Sequence, residues 1–240
     1  MLEADVCSTN LLAAVDHDWA KCSGTRLSFG DVMNSKNLSL PFWLLASLFL
    51  AGCGGLQAGQ TVQSGRNALQ NGQPEAAVAY FRRAADLDPN YHTPFSRSES
   101  VWTYLGRAYY ETGNYPEARR TLEQALSIDK DNPVARLYLG LSMLRGGNSE
   151  RGNQEIQNAL KGIQEYLNRM ASRPINGVYW DPAREIRSEI QRALTSVSAG
   201  KPDSSELVVL AQWVGSRVDE EADKVRRDEA RDKYELGRSD

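Results

Sequence analysis

The side chains that most often perform catalysis are scarce in this sequence. It contains two histidines, His17 and His92, and three cysteines, Cys7, Cys22 and Cys53. His92 is the candidate general base, but it has no serine or cysteine beside it in a recognisable nucleophile motif, and the sequence has no phosphate-binding glycine loop. The sequence therefore predicts a protein that is not an enzyme.

The possible metal ligands and the charge balance bear on two further classes of function. Cys7, His17 and Cys22 could form a metal-binding arm, but three scattered ligands fix no coordination geometry. The 28 basic and 31 acidic residues give a net charge of −3, which does not supply the basic surface that nucleic acid requires. We therefore expect no metal site, no cofactor, no nucleic-acid partner and no small-molecule substrate.

Cys53 stands where covalent chemistry is expected. It ends the run Leu-Ala-Gly-Cys, directly after an apolar stretch at 38–51 that is shorter than the roughly 20 residues of a membrane span. This order resembles the lipobox of bacterial lipoproteins, which implies removal of the leader, a diacylglyceryl group on the Cys53 thiol and acylation of the new amine. The alternative is a buried cysteine that ends an apolar helix, although the following glycines, Gly54 and Gly55, break helices.

The segments before Cys53 differ in charge. Residues 33–52, which begin at Met33 and include Lys36, are the predicted signal peptide. Residues 1–32 carry five acidic and two basic residues, the wrong sign for an export signal, so we expect them to be an upstream gene-model extension. Residues 53–57 would form the anchor and a short linker, and Gly54 after the cysteine implies an outer-membrane location facing the periplasm, with the inner membrane as the alternative.

A repeat with a period of 34 residues follows the anchor. The motif W-x-x-L-G-x-x-Y at 102–109 recurs in part 34 residues later around Gly140, and its frame also lies 41 residues earlier around Gly65. The extra seven residues fall in 90–100, where we expect an inserted loop. The spacing resembles that of the tetratricopeptide (TPR) family. The resemblance implies an all-α superhelix of helix hairpins, with three repeats at 58–171.

Small residues at fixed places predict how each hairpin packs. The pairs expected to face each other are Gly65 and Ala77, Gly106 and Ala118, and Gly140 and Gly152. Larger side chains one turn away, Phe81, Leu122 and Ile156, would fill the remaining space. Trp102 and Leu122 are expected to be core residues that join the first two repeats.

Residues 172–240 are predicted to form a helical cap on the last repeat and a charged tail. Asp181-Pro182 is expected to start one helix, and Asp203 with Glu206 forms a capping box for a second, longer helix. The apolar residues of the longer helix are spaced four and three apart: Leu207, Ala211, Val214, Val218, Ala222 and Val225. Tyr179 and Trp180 either pack under the cap or contact a partner.

The resemblance also implies a concave face lined by the first helix of each hairpin. The predicted groove residues are Arg66, Leu69, Gln70, Thr103, Arg107, Tyr110, Leu137, Leu141 and Arg145. The guanidinium groups of the three arginines could hold carboxylates of a partner, while the apolar residues contact a peptide or helix. The alternative for each is an ordinary solvated residue. If the groove is open, reversing the charges of Arg66 and Arg107 should leave folding intact.

The resemblance to outer-membrane TPR lipoproteins implies two classes of function. The first is a membrane-anchored periplasmic TPR scaffold that binds proteins during assembly or export of envelope structures, such as pilus secretins, β-barrel proteins or polysaccharides. The alternative is an adaptor that recruits or regulates peptidoglycan hydrolases. In both cases the lipid on Cys53 is the membrane contact.

Overall fold

The computed structural model describes residues 53–93, 96–174, 176–198 and 204–236, all within one compact unit, Phe49–Asp240. Three hairpins come first: α1 (Cys53–Gln70) with α2 (Pro74–Leu87), α3 (Val101–Glu111) with α4 (Tyr115–Ile128), and α5 (Pro133–Arg145) with α6 (Ser149–Ala171). This arrangement confirms the predicted all-α stack of three helix hairpins. The expected extension at 1–32 and signal peptide at 33–52 lie outside the described residues.

Local sequence signals start and end these helices. The Ser100 hydroxyl accepts a hydrogen bond from the Thr103 backbone N–H (3.2 Å), and the Asn132 side chain accepts one from the Ala135 N–H (2.9 Å), so both residues cap helix N-termini. The turn inside each hairpin contains a glycine at positive φ, namely Gly72 (68°), Gly113 (77°) and Gly147 (90°). A residue with a side chain would be strained at these positions.

The first helix of each hairpin approaches the second closely at a glycine. A Cβ on Gly65 would lie 2.6 Å from Phe81, and one on Gly106 would lie 2.4 Å from Leu122. One on Gly140 would meet Ile156 at 2.8 Å and the Gly152 carbonyl at 2.9 Å. The predicted facing of Gly140 and Gly152 is confirmed. At Gly65 and Gly106 the nearest atoms belong to Phe81 and Leu122, which were predicted to fill the remaining space.

The segment expected to be a loop contains a short antiparallel pair of strands. Strand β1 (His92–Thr93) pairs with β2 (Ser96–Ser100), and His92 lies opposite Ser100. The backbone N–H of Val101 donates to the Tyr91 carbonyl (3.1 Å), which fastens this insertion to the start of α3. The described part of the insertion is thus paired across two strands and bonded to the start of α3.

Two groups of buried side chains form the core. Leu122 is fully buried in the larger group, as predicted. Trp102 is only partly buried, but it packs against both groups and its indole N–H donates to the Pro89 carbonyl (2.7 Å). It therefore joins the first two repeats, with one edge of the ring outside the core.

The helix after the repeats begins later than predicted. It runs from Glu185 to Ser198 (α7), three residues past the expected start at Pro182. Asp181 still caps it, because its carboxylate accepts hydrogen bonds from the backbone N–H groups of Ile186 and Arg187, both at 3.1 Å. A turn with positive φ at Asp181 (45°) and Arg184 (58°) makes room for this arrangement.

The last helix is α8 (Ser204–Leu236), and its predicted apolar stripe is buried. Asp203, half of the expected capping box, lies outside the described residues. Before α7, a 3₁₀ turn (Gly177–Tyr179) leads to Trp180, which is buried edge-on against Tyr166. Trp180 therefore packs under the C-terminal helices, as the first of the two alternatives proposed.

Helix α8 does more than cap the third repeat, and here the prediction was incomplete. It packs against α5, α6 and α7. Polar side chains from α1 and α3 also reach it, as the ion pairs of Arg66 and Arg107 with Asp219 show. One helix therefore contacts all three repeats.

Candidate functional site

The concave side of the three repeats holds helix α8. Its lining comes from the first helix of each hairpin, with Arg66 on α1, Tyr104 and Arg107 on α3, and Tyr138 on α5. These four side chains face the middle of α8, where they contact Gly215 and Asp219. The face that was predicted to be an open groove is therefore covered by the chain itself.

An ion-pair network joins the first two repeats to α8. Arg66 Nη2 lies 3.0 Å from Asp219 Oδ1 and 2.7 Å from Asp223 Oδ2, and Arg107 Nη1 lies 3.4 Å from Asp219 Oδ2. The Tyr104 hydroxyl donates to Asp219 Oδ1 at 3.0 Å. Because the Arg66 side chain is only 3% exposed, this network belongs to the interior and is weakly screened by solvent.

The charges in this network shift one another's proton affinities. Burial by itself would lower the pKa of Arg66, but Tyr104 and the α8 carboxylates outweigh it and raise that pKa. Burial would raise the pKa of Asp223, yet Arg66 and Arg226 outweigh burial and hold this pKa below its ordinary value. Both groups are thus charged at neutral pH, and each stabilises the other.

Aromatic rings support the two arginines. The Arg66 guanidinium lies 5.5 Å from the centre of the Tyr104 ring, and that of Arg107 lies 5.5 Å from the centre of the Tyr138 ring. These distances fit cation–π contacts, which are stronger when desolvated. A Cβ on Gly215 would lie 2.7 Å from the Tyr138 hydroxyl, so α8 approaches this ring as closely as a glycine permits.

Apolar contacts also hold α8 against the rest of the fold. Six apolar side chains of α8 are at most 8% exposed: Leu207, Ala211, Val214, Val218, Ala222 and Val225. Exposing a fully buried valine or leucine costs roughly 1.5–3 kcal/mol. Removing α8 from the groove would expose several at once, so another helix has little chance of replacing it.

The structure corrects the predicted accessibility of the groove. Seven of the nine predicted residues are buried or nearly so, namely Arg66, Leu69, Thr103, Arg107, Tyr110, Leu137 and Leu141, while Gln70 and Arg145 are exposed. The reason is twofold: α8 covers the arginines and Tyr110, and the leucines belong to the core. A role of these residues in binding a separate partner stays a prediction.

Thr103 and Tyr110 have structural contacts that the sequence did not reveal. The Thr103 hydroxyl accepts a hydrogen bond from the Asn132 amide (3.0 Å), which links the caps of α3 and α5. The Tyr110 hydroxyl accepts one from Gln212 Nε2 on α8 (2.8 Å), and burial raises the pKa of this tyrosine. Neither side chain is presented to solvent as a groove residue would be.

The sequence reasoning missed Asp219 and Asp223. The signal was available, because the two acids are four residues apart and lie on one face of a helix. They alternate with the apolar stripe residues Val218 and Ala222, so an acidic face next to a buried face was foreseeable. The acidic face formed by Asp219 and Asp223 has a charge opposite to that of the arginines in the predicted groove.

A second polar cluster holds the loop before α7 against α8. The backbone N–H of Asp181 donates to Glu221 Oε1 (2.7 Å), and the Asp181 carboxylate pairs with Arg187 Nε (2.9 Å). Asp181 and Glu221 are 4% and 5% exposed. Tyr179 adds a hydrogen bond to Asp232 further along the same helix. The tail beyond Val225 is thus bonded to the fold, at least at Asp232.

Two features are absent from the described residues. Within them, His, Cys, Asp and Glu form no group of three that could hold a metal ion. In the same ranges, none of the helices is long and apolar enough to cross a membrane. Cys53, the predicted lipid attachment site, is the first residue of α1, and the three residues before it lie outside the description.

Comparison with known proteins agrees with the fold. Residues 68–141 match the family model described as tetratricopeptide repeat. This part of the chain resembles tetratricopeptide repeats, in agreement with the helix hairpins of the fold.

Individual relatives resemble part of the chain. It is 31% identical over 96 residues to the TPR repeat-containing protein YpiA of Bacillus subtilis (strain 168), which is 40% of this chain and 21% of that protein. It is 30% identical over 115 residues to the DnaJ homolog subfamily C member 7 homolog of Schizosaccharomyces pombe, which is 44% of this chain and 24% of that protein. The chain thus spans about a quarter or less of the length of these relatives.

Proposed function

We propose that this protein is a lipid-anchored scaffold of the bacterial cell envelope. It would face the periplasm from the outer membrane and hold protein partners together during assembly or export of an envelope structure. The single observation that carries the scaffold role is the stack of three hairpins, closed by α8 into one body. Hairpin stacks of this class bind other proteins, and a closed one offers them a rigid surface.

The membrane anchor is supported by the order of residues around Cys53. A basic residue, an apolar stretch, small residues and a cysteine follow one another at 36–53. Helix α1 begins at Cys53 itself, so acyl chains on this residue would be attached directly to the first repeat. The expected linker at 53–57 is helical, which would keep the scaffold close to the membrane surface.

Metabolic labelling tests the anchor. Cells that express the wild-type protein and take up a fatty-acid analogue should give a labelled protein in the membrane fraction. The Cys53→Ser variant should be unlabelled and should leave that fraction. Equal labelling of the two proteins would refute lipid attachment at Cys53.

Capture of partners with the anchor intact tests the scaffold role. Crosslinking in cells, followed by purification from the membrane fraction, should recover components of a secretin, β-barrel assembly or polymer-export machine. Recovery of peptidoglycan hydrolases instead would support the adaptor alternative. Recovery of no protein beyond that seen with an unrelated lipoprotein would count against both.

A further inference from the structure

The first three turns of α8 carry a second apolar face, which is only partly covered by the core. Val209, Leu210 and Trp213 lie three and four residues apart, on the side of the helix away from the buried stripe. Val209 is 67% exposed, and Leu210 and Trp213 are half-buried. Further along the same face the residues are polar, beginning with Arg217 and Glu220. The open apolar face is therefore confined to the start of α8.

This face forms one wall of a cavity between α7 and α8. The cavity has a volume of about 590 Å³, and Glu185 and Glu189 of α7 form the opposite wall. Leu210 also lines a neighbouring cavity of about 290 Å³ together with Ala193 and Val197 of α7. The two cavities share Leu210 and Glu189, so they form a continuous groove along the two helices.

The charge of the larger cavity is negative. Its lining contains three glutamates, Glu185, Glu189 and Glu206, and no lysine or arginine. Two arginines pair with these glutamates: Arg217 lies 3.2 Å from Glu185, and Arg192, which lines the smaller cavity, lies 2.7 Å from Glu189. The four side chains of these pairs are between 32% and 72% exposed, so solvent screens both pairs and another cation can compete for the glutamates. The groove therefore suits a positively charged ligand with an apolar side.

We propose that the groove between α7 and α8 is the docking site for a short basic amphipathic helix of a partner protein. Apolar side chains of that helix would pack on Val209, Leu210 and Trp213, while its lysines or arginines would face the three glutamates. A groove between two helices accepts a third helix through residues at i, i+3, i+4 and i+7. The inference rests on the proposed scaffold role for the existence of such a partner, and not on the lipid anchor.

A membrane surface is the other common target of an exposed tryptophan beside valine and leucine. The glutamates argue against it, because anionic lipid headgroups attract basic segments and repel carboxylates. A basic helix benefits from the same three carboxylates. The charge of the groove therefore favours a protein segment.

The binding test uses the purified full-length protein in detergent micelles, whether or not Cys53 carries a lipid, with empty micelles as the blank. The probe is a fluorescent 18-residue helix with leucines on one face and lysines on the other, and its twin has glutamate in place of every lysine. The lysine peptide should bind in the micromolar range and the glutamate peptide at least tenfold more weakly. Equal binding of the two peptides, or binding of neither, would refute the proposal.

Two pairs of variants locate the binding site. Glu189→Lys/Glu206→Lys should weaken binding of the lysine peptide at least tenfold, whereas Glu75→Lys/Glu123→Lys makes the same charge change on exposed positions of α2 and α4 and should bind within twofold of wild type. Val209→Ser should also weaken binding, and Leu56→Ser, at another exposed apolar residue, should not.

Other outcomes of the variants would overturn the inference. If the control pair loses as much affinity as the groove pair, bulk charge explains the binding and the groove does not. If the peptide binds normally to both Glu189→Lys/Glu206→Lys and Val209→Ser, it docks elsewhere. A thermal melt of each variant checks folding, and the Cys53 labelling test is read separately, so failure of the anchor and failure of the docking site are distinguishable.

Discussion

At the scale of residues, Arg66 and Arg107 are the side chains whose role changes most between sequence and structure. The sequence places them on a concave face as free cations, and the structure places them there with α8 carboxylates as partners. Burial makes the difference, because a charge that is solvated at a surface contributes little, whereas a buried charge that loses its partner is costly.

The double change Arg66→Glu/Arg107→Glu is therefore expected to unfold or strongly destabilise the protein. It puts two carboxylates against Asp219 and Asp223 in a site with little water, and removing one partner of a buried pair typically costs about 3–5 kcal/mol. Thermal melts followed by circular dichroism measure the effect. The pair Arg82→Glu/Arg83→Glu, on the exposed side of α2, is the matched control and should melt close to wild type. Similar melts for the two doubles would show that α8 does not depend on the network.

Acid should loosen the same network through Asp223. Its pKa in the folded protein is lowered, so its contribution to stability is present above the unfolded-state pKa of about 3.9 and is lost as pH falls through the lower folded-state value. Melts between pH 3 and pH 7 should show a steeper loss at the acid end for wild type than for Asp223→Asn. Asp86→Asn, at an exposed position on α2, should keep the wild-type slope. An unchanged slope for Asp223→Asn would contradict the assignment.

At the scale of elements, the three hairpins are predictable from patterns that are visible in the sequence. Gly65, Gly106 and Gly140 repeat in one frame, and each permits a close helix contact where a Cβ would clash. Turn glycines and caps at Ser100 and Asn132 set the boundaries, so periodicity and local chemistry were sufficient to predict these helices.

The contact between Gly106 and Leu122 can be tested by a double-mutant cycle. Gly106→Ala would place its Cβ 2.4 Å from Leu122 and should destabilise the fold by about 1–3 kcal/mol through overpacking. Leu122→Ala should cost about 2–5 kcal/mol by leaving a cavity. Because the added methyl partly fills that cavity, the double variant should cost less than the sum of the two, as chemical denaturation would reveal. Strict additivity would mean that the two residues do not touch.

The C-terminal elements were harder to predict because their contacts are distant in sequence. The stripe from Leu207 to Val225 was visible, yet a stripe says only that a helix is buried and not against what. Asp219 lies 153 residues from Arg66, and the sequence around either residue does not indicate that the two form an ion pair. Likewise, the start of α7 was missed because Asp181 caps it through a turn of four residues at unusual backbone angles.

At the scale of the whole molecule, α8 changes the connectivity of the stack. In a simple repeat array each repeat touches only its neighbours, so stability is a sum of local terms. Here α8 contacts the first, second and third hairpins together, which couples the first helix to the last. The repeats are thus expected to unfold as one unit rather than from an end.

Hydrogen exchange tests this coupling. In Asp219→Asn/Asp223→Asn, amides of α1 should exchange faster than in wild type, although the substituted residues lie on α8, because Arg66 would lose both of its carboxylate partners. Asp228→Asn/Asp232→Asn makes the same change further along α8, away from Arg66, and should leave the exchange of α1 as in wild type. Equal protection of α1 in all three proteins would show that the first repeat is held by its neighbour alone.

The ion pairs between Arg66 on α1 and the carboxylates of α8 would bear a pulling force if the chain is tethered through Cys53. Arg66 lies on the same helix as Cys53, about 20 Å further along its axis. A pulling force applied at Cys53 would be transmitted through the ion pairs of Arg66 to the middle of α8. The force would then act on the first and last helices together, and the hairpins would not separate one after another. When a moving partner pulls on the molecule, we therefore expect the whole fold to unfold in a single step at high force. We do not expect the hairpins to unfold one after another at lower force.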